Sequence, residues 1–232
     1  MNKQNKQERY EIKFSLNELE ITHALSWLAT VGAKKNYNDR YVNSLYFDNL
    51  NHEAIKDNLA GITPRHKVRL RWYGDKISEA LNPNLEIKIR NGRLGRKILY
   101  PLDNIKTLIN NKSIHSLSNN LFKELRASKF VHSAINDYLL PMLIVQYQRE
   151  YYELSNGIRV TLDRNIKYFN INQYLDSKIL RPAIYNNYVM ELKFSQELKS
   201  TAANFMRSLT LTPKRFSKYL NGLVIFGNVV YI

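Results

Sequence analysis

The stretch Lys67-Val68-Arg69-Leu70-Arg71-Trp72 alternates without a break. Val68, Leu70 and Trp72 share one face, and Lys67, Arg69 and Arg71 share the other. A period of two marks a β-strand with one apolar and one polar side, because successive side chains leave the backbone in opposite directions. Working outward, Leu85-Glu86-Ile87-Lys88-Ile89-Arg90 repeats the pattern, and Asn91-Gly92 behind it signals a hairpin turn. That turn predicts residues 96–100 as the returning strand. Residues 8–14 set Tyr10, Ile12 and Phe14 against Arg9, Glu11 and Lys13. Residues 43–48 form a further strand with Leu45 and Phe47 on its apolar face. Residues 143–153 and 159–166 predict a second pair around Asn156-Gly157, and residues 188–194 a last strand on which Glu191 and Lys193 share a face.

Helical stretches lie between the strands. Ser15-Leu16-Asn17-Glu18 has the form of a capping box, followed by Leu19, Ala24, Leu25 and Leu28 at helical spacing. Residues 121–139 predict a second helix ended by Pro141, residues 195–209 a third, and residues 213–226 a fourth with Pro213 near its first turn. The Asn-rich residues 113–120 read as a loop. The fold class is therefore α+β: mostly antiparallel strands with helices packed outside.

The composition narrows the function. The chain has 232 residues, a length suited to one domain over 1–232, with the polar residues 1–7 as a tail. It holds no Cys, which excludes a disulfide scaffold, a Cys-based zinc site and a Cys nucleophile. Lys and Arg number 35 against 20 Asp and Glu, and the net charge of +15 favours an anionic partner. No Gly-x-x-x-x-Gly-Lys-Ser/Thr motif is present, so a nucleoside triphosphate would have to be held by side-chain cations. The polar start and the lack of a long apolar run predict a cytoplasmic protein. A role at the inner face of a membrane would need a separate membrane protein partner.

A charged strand face is ordinarily a solvated face. Here the pattern recurs: Arg9/Glu11/Lys13, Lys67/Arg69/Arg71, Glu86/Lys88/Arg90 and Glu191/Lys193, with Arg149 on a fifth strand. Two readings follow. Either these faces meet water, or the strands close with them inward around a cation-lined tunnel. Such a tunnel is costly when empty, because like charges repel and desolvation is unfavourable, and it makes sense around a polyanion. Arg grips phosphate oxygens through a planar fork and Lys adds a mobile point charge. Carboxylates among them suit a divalent metal bridging phosphates.

At this point the residues resemble a family. Arg9-Tyr10-Glu11-Ile12-Lys13-Phe14, Ser44-Leu45-Tyr46-Phe47-Asp48, Lys67 through Gly74, Leu85-Glu86-Ile87-Lys88, Met190-Glu191-Leu192-Lys193-Phe194 and Phe216-Ser217-Lys218-Tyr219 are similar in kind and order to the VTC domain. That is the polyphosphate-polymerase branch of the triphosphate tunnel metalloenzymes, related to the CYTH group. The resemblance implies an eight-stranded antiparallel β-barrel, a triphosphate tunnel with helices packed outside. It implies transfer of the ATP γ-phosphoryl group to a growing polyphosphate chain, so that ATP and polyphosphate are the partners and no nucleic acid is expected. Carried over by position, Arg69, Arg71, Lys88 and Arg149 would be catalytic clamps. Lys13, Lys67, Lys97, Lys193, Ser217 and Lys218 would bind phosphate, the last two near a tunnel mouth. Glu191 would be the main ligand of a Mn²⁺ or Mg²⁺, with Glu11 and Glu86 as helpers. The superfamily opens with Glu-x-Glu-x-Lys, whereas Arg9 stands first here, which leaves one carboxylate fewer. The chain also resembles a compact, stand-alone bacterial type.

Other residues have plainer readings. His23, His52, His66, His115 and His132 are scattered without metal-ligand spacing. Tyr46, Tyr73, Tyr147 and Tyr219 suit either packing or contacts to phosphate and nucleoside. Arg93, Arg96 and Lys97 follow Gly92 in a solvated turn, and Asp163 and Arg164 read as structural ion-pair partners. Alternatives to the polymerase are a tripolyphosphatase or nucleoside triphosphatase of the same fold, and a non-catalytic binder of polyphosphate or nucleic acid.

Overall fold

Strict alternation gives the strands two unlike faces, and the sheet sorts them. The computed structural model describes residues 8–102, 107–108, 119, 121–123, 138–154, 157–171 and 181–228. The chain runs β1 (Arg9–Leu16), α1 (Glu18–Thr30), β2 (Lys34–Asp48), α2 (Glu53–Ala60), β3 (Arg65–Tyr73), β4 (Glu79–Ala80), β5 (Asn84–Asn91) and β6 (Leu94–Pro101). Then come β7 (Thr107–Leu108), β8 (Leu140–Glu153), β9 (Arg159–Asn170), β10 (Ala183–Tyr185), β11 (Tyr188–Ser195), a 3-10 turn (Gln196–Leu198), α3 (Lys199–Met206) and α4 (Lys218–Ile225). Residues 121–123 are helical, while the rest of the helix expected over 121–139, the Asn-rich loop except for Asn119, and the tail 1–7 lie outside the described residues.

The main sheet has the order β10-β9-β11-β1-β6-β5-β3-β2-β8, and β8 also pairs with β9. Eight antiparallel strands are thus joined in a ring of pairings, with β10 appended to β9. Both expected hairpins form: β5 with β6, and β8 with β9. The link between β1 and β6 is short, Arg9 opposite Gly95 and Tyr10 opposite Leu94.

Two apolar clusters cover the outer face. Tyr10, Ile12 and Phe14 of β1, with Met190, Leu192 and Phe194 of β11, pack against Ala24, Trp27 and Leu28 of α1 and Ala202 of α3. Val68, Leu70 and Trp72 of β3, with Leu85, Ile87 and Ile89 of β5, pack against Leu121 and Phe122. The third cluster is on the other face. Val42 and Tyr46 of β2, Leu143, Val145 and Tyr147 of β8, and Val189 of β11 pack against Tyr219 and Leu223 of α4.

The short segment 216–223 decides which face is inner. The Phe216 carbonyl accepts from Lys13 on β1, and Ser217 Oγ accepts from Lys67 on β3. Lys218 binds Asp163 on β9 and approaches Glu191 on β11. Tyr219 stacks on Tyr46 of β2, and Gly222 lies against Leu143 of β8. A segment of eight residues reaches six of the eight ring strands only from within the ring. The charged faces therefore point inward, and α4 fills part of the interior.

That corrects the expectation that every helix packs outside. It also corrects the helix expected over 213–226. The Lys214 amide donates to the Lys13 carbonyl at 2.9 Å, so the residues after Pro213 run as a strap along β1, and helix begins only at Lys218. Ser217 is its cap, accepting from the Leu220 amide at 3.4 Å. The first helix is shifted too. Ser15 is committed to the β1–β11 ladder opposite Val189, so the capping box forms two residues later, between Asn17 and Glu20. Ile21, Ala24, Trp27 and Leu28 are buried, while Leu19 is 79% exposed and Leu25 44%. Helix α2 was not anticipated from the sequence.

Candidate functional site

Inside the ring, cations outnumber carboxylates. Each carboxylate is wrapped by cations from neighbouring strands. Glu86 on β5 lies opposite Arg69 on β3 and accepts from its Nε at 2.7 Å. Lys97 of β6 donates to the other oxygen of Glu86 at 2.8 Å, and Arg71 approaches at 3.6 Å. Lys97 thus belongs to the interior rather than to a solvated turn. Arg69 also reaches the Tyr46 hydroxyl at 3.2 Å, and Arg71 the Tyr147 hydroxyl at 3.0 Å.

A second group surrounds Glu11 and Glu191. Lys13 lies between them, 3.2 Å from Glu11 and 3.1 Å from Glu191. Lys88 binds Glu11 and Arg90 approaches it at 3.8 Å. Lys193 meets Glu191 at 2.6 Å and Arg149 approaches at 3.7 Å. Beside this group, Asp163 takes both prongs of Arg149, at 2.5 and 2.8 Å, together with Lys218 at 2.5 Å.

Burial opposes every one of these charges, and the outcome depends on the neighbours. For Glu11, Glu86 and Glu191 burial is outweighed by adjacent Lys and Arg, which hold each carboxyl well below its usual range. Asp163 is lowered in the same way by Arg149 and Lys218. Lys13, between two carboxylates, is raised despite burial. Among the described residues Lys67 forms no such ion pair, and Glu11 only partly supports its charge. Burial, then Lys13, Lys88 and Arg65, push it down to about 7. Burial lowers Lys88 and Lys97 to about 8 each, against the partial support of Glu11 and Glu86 respectively.

Among the described residues, some inward polar atoms have no hydrogen-bond partner: Arg71 Nε, Ser44 Oγ and Thr161 Oγ1 are buried and unsatisfied. Ser44 lies opposite Arg71, and Thr161 opposite Glu191. Buried donors of this kind normally find an acceptor. The arrangement suits an anion with many acceptor oxygens, which would take cations over from the carboxylates that now hold them.

The VTC domain family model matches residues 8–226. The chain belongs to the VTC domain family. It is 25% identical over 270 aligned positions to vacuolar transporter chaperone complex subunit 2 of Saccharomyces cerevisiae, covering 93% of this chain and 32% of that protein. This VTC domain thus spans about a third of the length of that relative. Among solved structures, a putative adenylate cyclase from Bacillus halodurans aligns with a TM-score of 0.56 at 13% identity, over 97% of this chain and 99% of that one. A putative adenylyl cyclase from Hippeastrum, described as having a dominant triphosphatase activity, aligns at 0.53 and 14% identity over 97% and 98%. At these identities the likeness is one of fold.

The residues singled out from the sequence are not all in one place. Arg69, Arg71, Lys97 and Glu86 form one group. Lys13, Lys88, Arg149, Lys193, Lys218, Glu11 and Glu191 form the other. Lys67 and Ser217 bond each other at 2.9 Å, and Lys218 is buried within the ring. Sequence reasoning did not assign the interior roles of Asp163 and Thr161. The parity of β9, on which Thr161 shares a face with Asp163, was the signal that could have found both.

Among the described residues no group of three or more His, Cys, Asp or Glu is arranged to hold a metal ion. The donors fit one in part. Glu11 and Glu191 flank the Lys13 ammonium, so a positive charge already lies between two ionised carboxylates. Hard carboxylate oxygens suit Mg²⁺ or Mn²⁺, which commonly complete their shell with water and phosphate oxygens. Glu86 does not join them, being held in the Arg69 fork.

Proposed function

We propose that the ring is a triphosphate tunnel and that this VTC domain is a polyphosphate polymerase. The observation that carries the reading is the inward excess of Lys and Arg with unsatisfied buried donors among them. Arg69, Arg71, Lys88 and Arg149 clamp the phosphates of a nucleoside triphosphate, and Lys13, Lys67, Lys97, Lys193 and Lys218 extend the track. The terminal oxygen of a polyphosphate chain forms a bond to the γ-phosphorus of ATP. The bond from that phosphorus to the β,γ-bridging oxygen breaks, and ADP leaves with that oxygen. Phosphoryl transfer asks the protein for alignment and charge neutralisation rather than a covalent step, and the fixed guanidinium groups supply both. A Mg²⁺ or Mn²⁺ held by Glu11 and Glu191 would supply further neutralisation of phosphate charge.

A hydrolase is the second reading, because the fold is shared with a protein described as having a dominant triphosphatase activity. Water in place of the acceptor phosphate would convert one activity into the other. The test is incubation of the purified protein with ATP and Mn²⁺, followed by a gel stained for polyphosphate and an assay for free phosphate. Polymer with ADP release is the expected result. Free phosphate without polymer would move the protein to the hydrolase reading, and loss of ATP by neither route would overturn both.

No helix among the described residues is long and apolar enough to cross a membrane.

A further inference from the structure

The N-terminal half of β2 carries a feature that the phosphate clamps do not use. A cleft of about 760 Å³ is lined by Lys35, Asn36, Tyr37, Asn38, Asp39 and Arg40. The guanidinium carbon of Arg40 lies 5.5 Å from the ring centre of Tyr37 and 5.8 Å from those of Tyr73 and Tyr151. Tyr37 and Tyr151 meet edge to face at 5.8 Å. Tyr37 is nevertheless 57% exposed and Tyr73 42%. Three aromatic rings around one flat cation, half open to solvent, make a slot for a flat group.

Its place relative to the clamps is fixed by register. Arg40 lies opposite Arg149, and Tyr37 opposite Tyr151. Tyr73 is two residues beyond Arg71 on the same face of β3, about 7 Å along a strand that rises about 3.4 Å per residue. Tyr151 stands in the same relation to Arg149 on β8. Asp39 steadies the segment by ion pairs to Lys35 at 2.7 Å and Arg164 at 3.0 Å. A ligand with a flat ring on Tyr73 and an anionic chain running inward would set its first phosphates at Arg71 and later ones toward Arg69. That order, ring first and phosphates after, is that of a nucleoside triphosphate.

We infer that Tyr37, Tyr73 and Tyr151, with Arg40 among them, form a nucleobase-stacking site at the entrance to the phosphate track. Aromatic faces and guanidinium planes both stack on bases and do so with little regard to base identity. The site therefore accepts nucleoside triphosphates broadly and adds affinity that inorganic tripolyphosphate cannot gain. The inference rests on the reading of the interior as a phosphate site.

The experiment measures binding of ATP and of inorganic tripolyphosphate, each with Mg²⁺, to the wild-type protein and to Tyr37→Ala, Tyr73→Ala and Tyr73→Phe. Each Ala variant should bind ATP roughly tenfold more weakly, with tripolyphosphate unchanged within about twofold, as expected for loss of a stacked ring. Tyr73→Phe should bind ATP as the wild type does. Equal weakening for both ligands, or no change for ATP, would overturn the stacking site and leave the phosphate reading intact. Failure of the wild type to bind tripolyphosphate would overturn the phosphate reading and this inference with it.

Discussion

Lys67 shows how strongly the interior waits for negative charge. Among the described residues it forms no ion pair with a carboxylate, bonds the Ser217 hydroxyl at 2.9 Å, and is pushed down to about 7 from the ordinary 10.5. Lys97 lies near 8. Both are lowered bases, so the sign is clear. Between those values and 10.5 the unfolded chain carries protons that the folded one has released, and the free protein gains stability as pH rises through that window. A bound polyanion restores the charged forms, so binding near pH 8 takes up protons and weakens as pH rises further. Calorimetry of tripolyphosphate binding at pH 8 in two buffers of different ionisation enthalpy should reveal that uptake. Lys67→Met should remove part of it, which separates the protein's protons from those of the ligand. The same uptake in the wild type and the variant would mean that Lys67 does not face the anion. Lys67 itself was legible from alternation alone. Asp163 was read only as a structural partner. Its interior place depends on Arg149 and Lys218, one on the adjacent strand β8 and the other at the start of α4, 55 residues further along the chain.

Elements were legible where one period ran unbroken and misread where two signals competed. The alternation of β1, β3, β5 and β11 gave their faces correctly. Two helix starts were misplaced because Ser15 is held in the β1–β11 ladder and the Lys214 amide, next to Pro213, donates to the Lys13 carbonyl. Asn165, at φ 53°, interrupts β9 and changes which parity faces inward, so Asp163 and Tyr168 share a side although their numbers do not predict it. The position of α4 was least legible, since an apolar helix reads the same whether it covers a sheet or fills a ring. Gly222 marks the difference. A Cβ there would stand 2.4 Å from Leu143 Cδ2 and 2.7 Å from Tyr168 Cδ1. In an exposed helix, Gly→Ala gains about 1 kcal/mol from propensity. Here overpacking of about 1–3 kcal/mol opposes it. Gly222→Ala should therefore lower the midpoint of thermal unfolding, and a rise would show that α4 has room to move away from β8.

At the scale of the molecule, the net charge of +15 and the inward cations make one argument. A ring whose interior holds more Lys and Arg than carboxylates folds against its own repulsion. Screening by any salt relieves part of that repulsion. A specific polyanion does more, because it binds the folded ring and not the unfolded chain with its scattered charges. At a ligand concentration about a hundred times its Kd, that linkage contributes about 2.7 kcal/mol. For a domain of this length each kcal/mol moves the unfolding midpoint by about 2–4 °C. Tripolyphosphate should therefore raise Tm by roughly 5–11 °C at a concentration where sodium chloride of equal ionic strength has a small effect. Orthophosphate should fall between them, since it reaches one group of cations at a time. The ordering separates two pictures of the same charges. If chloride matched tripolyphosphate at equal ionic strength, the excess cations would be relieved by screening alone, and the inward faces would be a consequence of folding rather than a site.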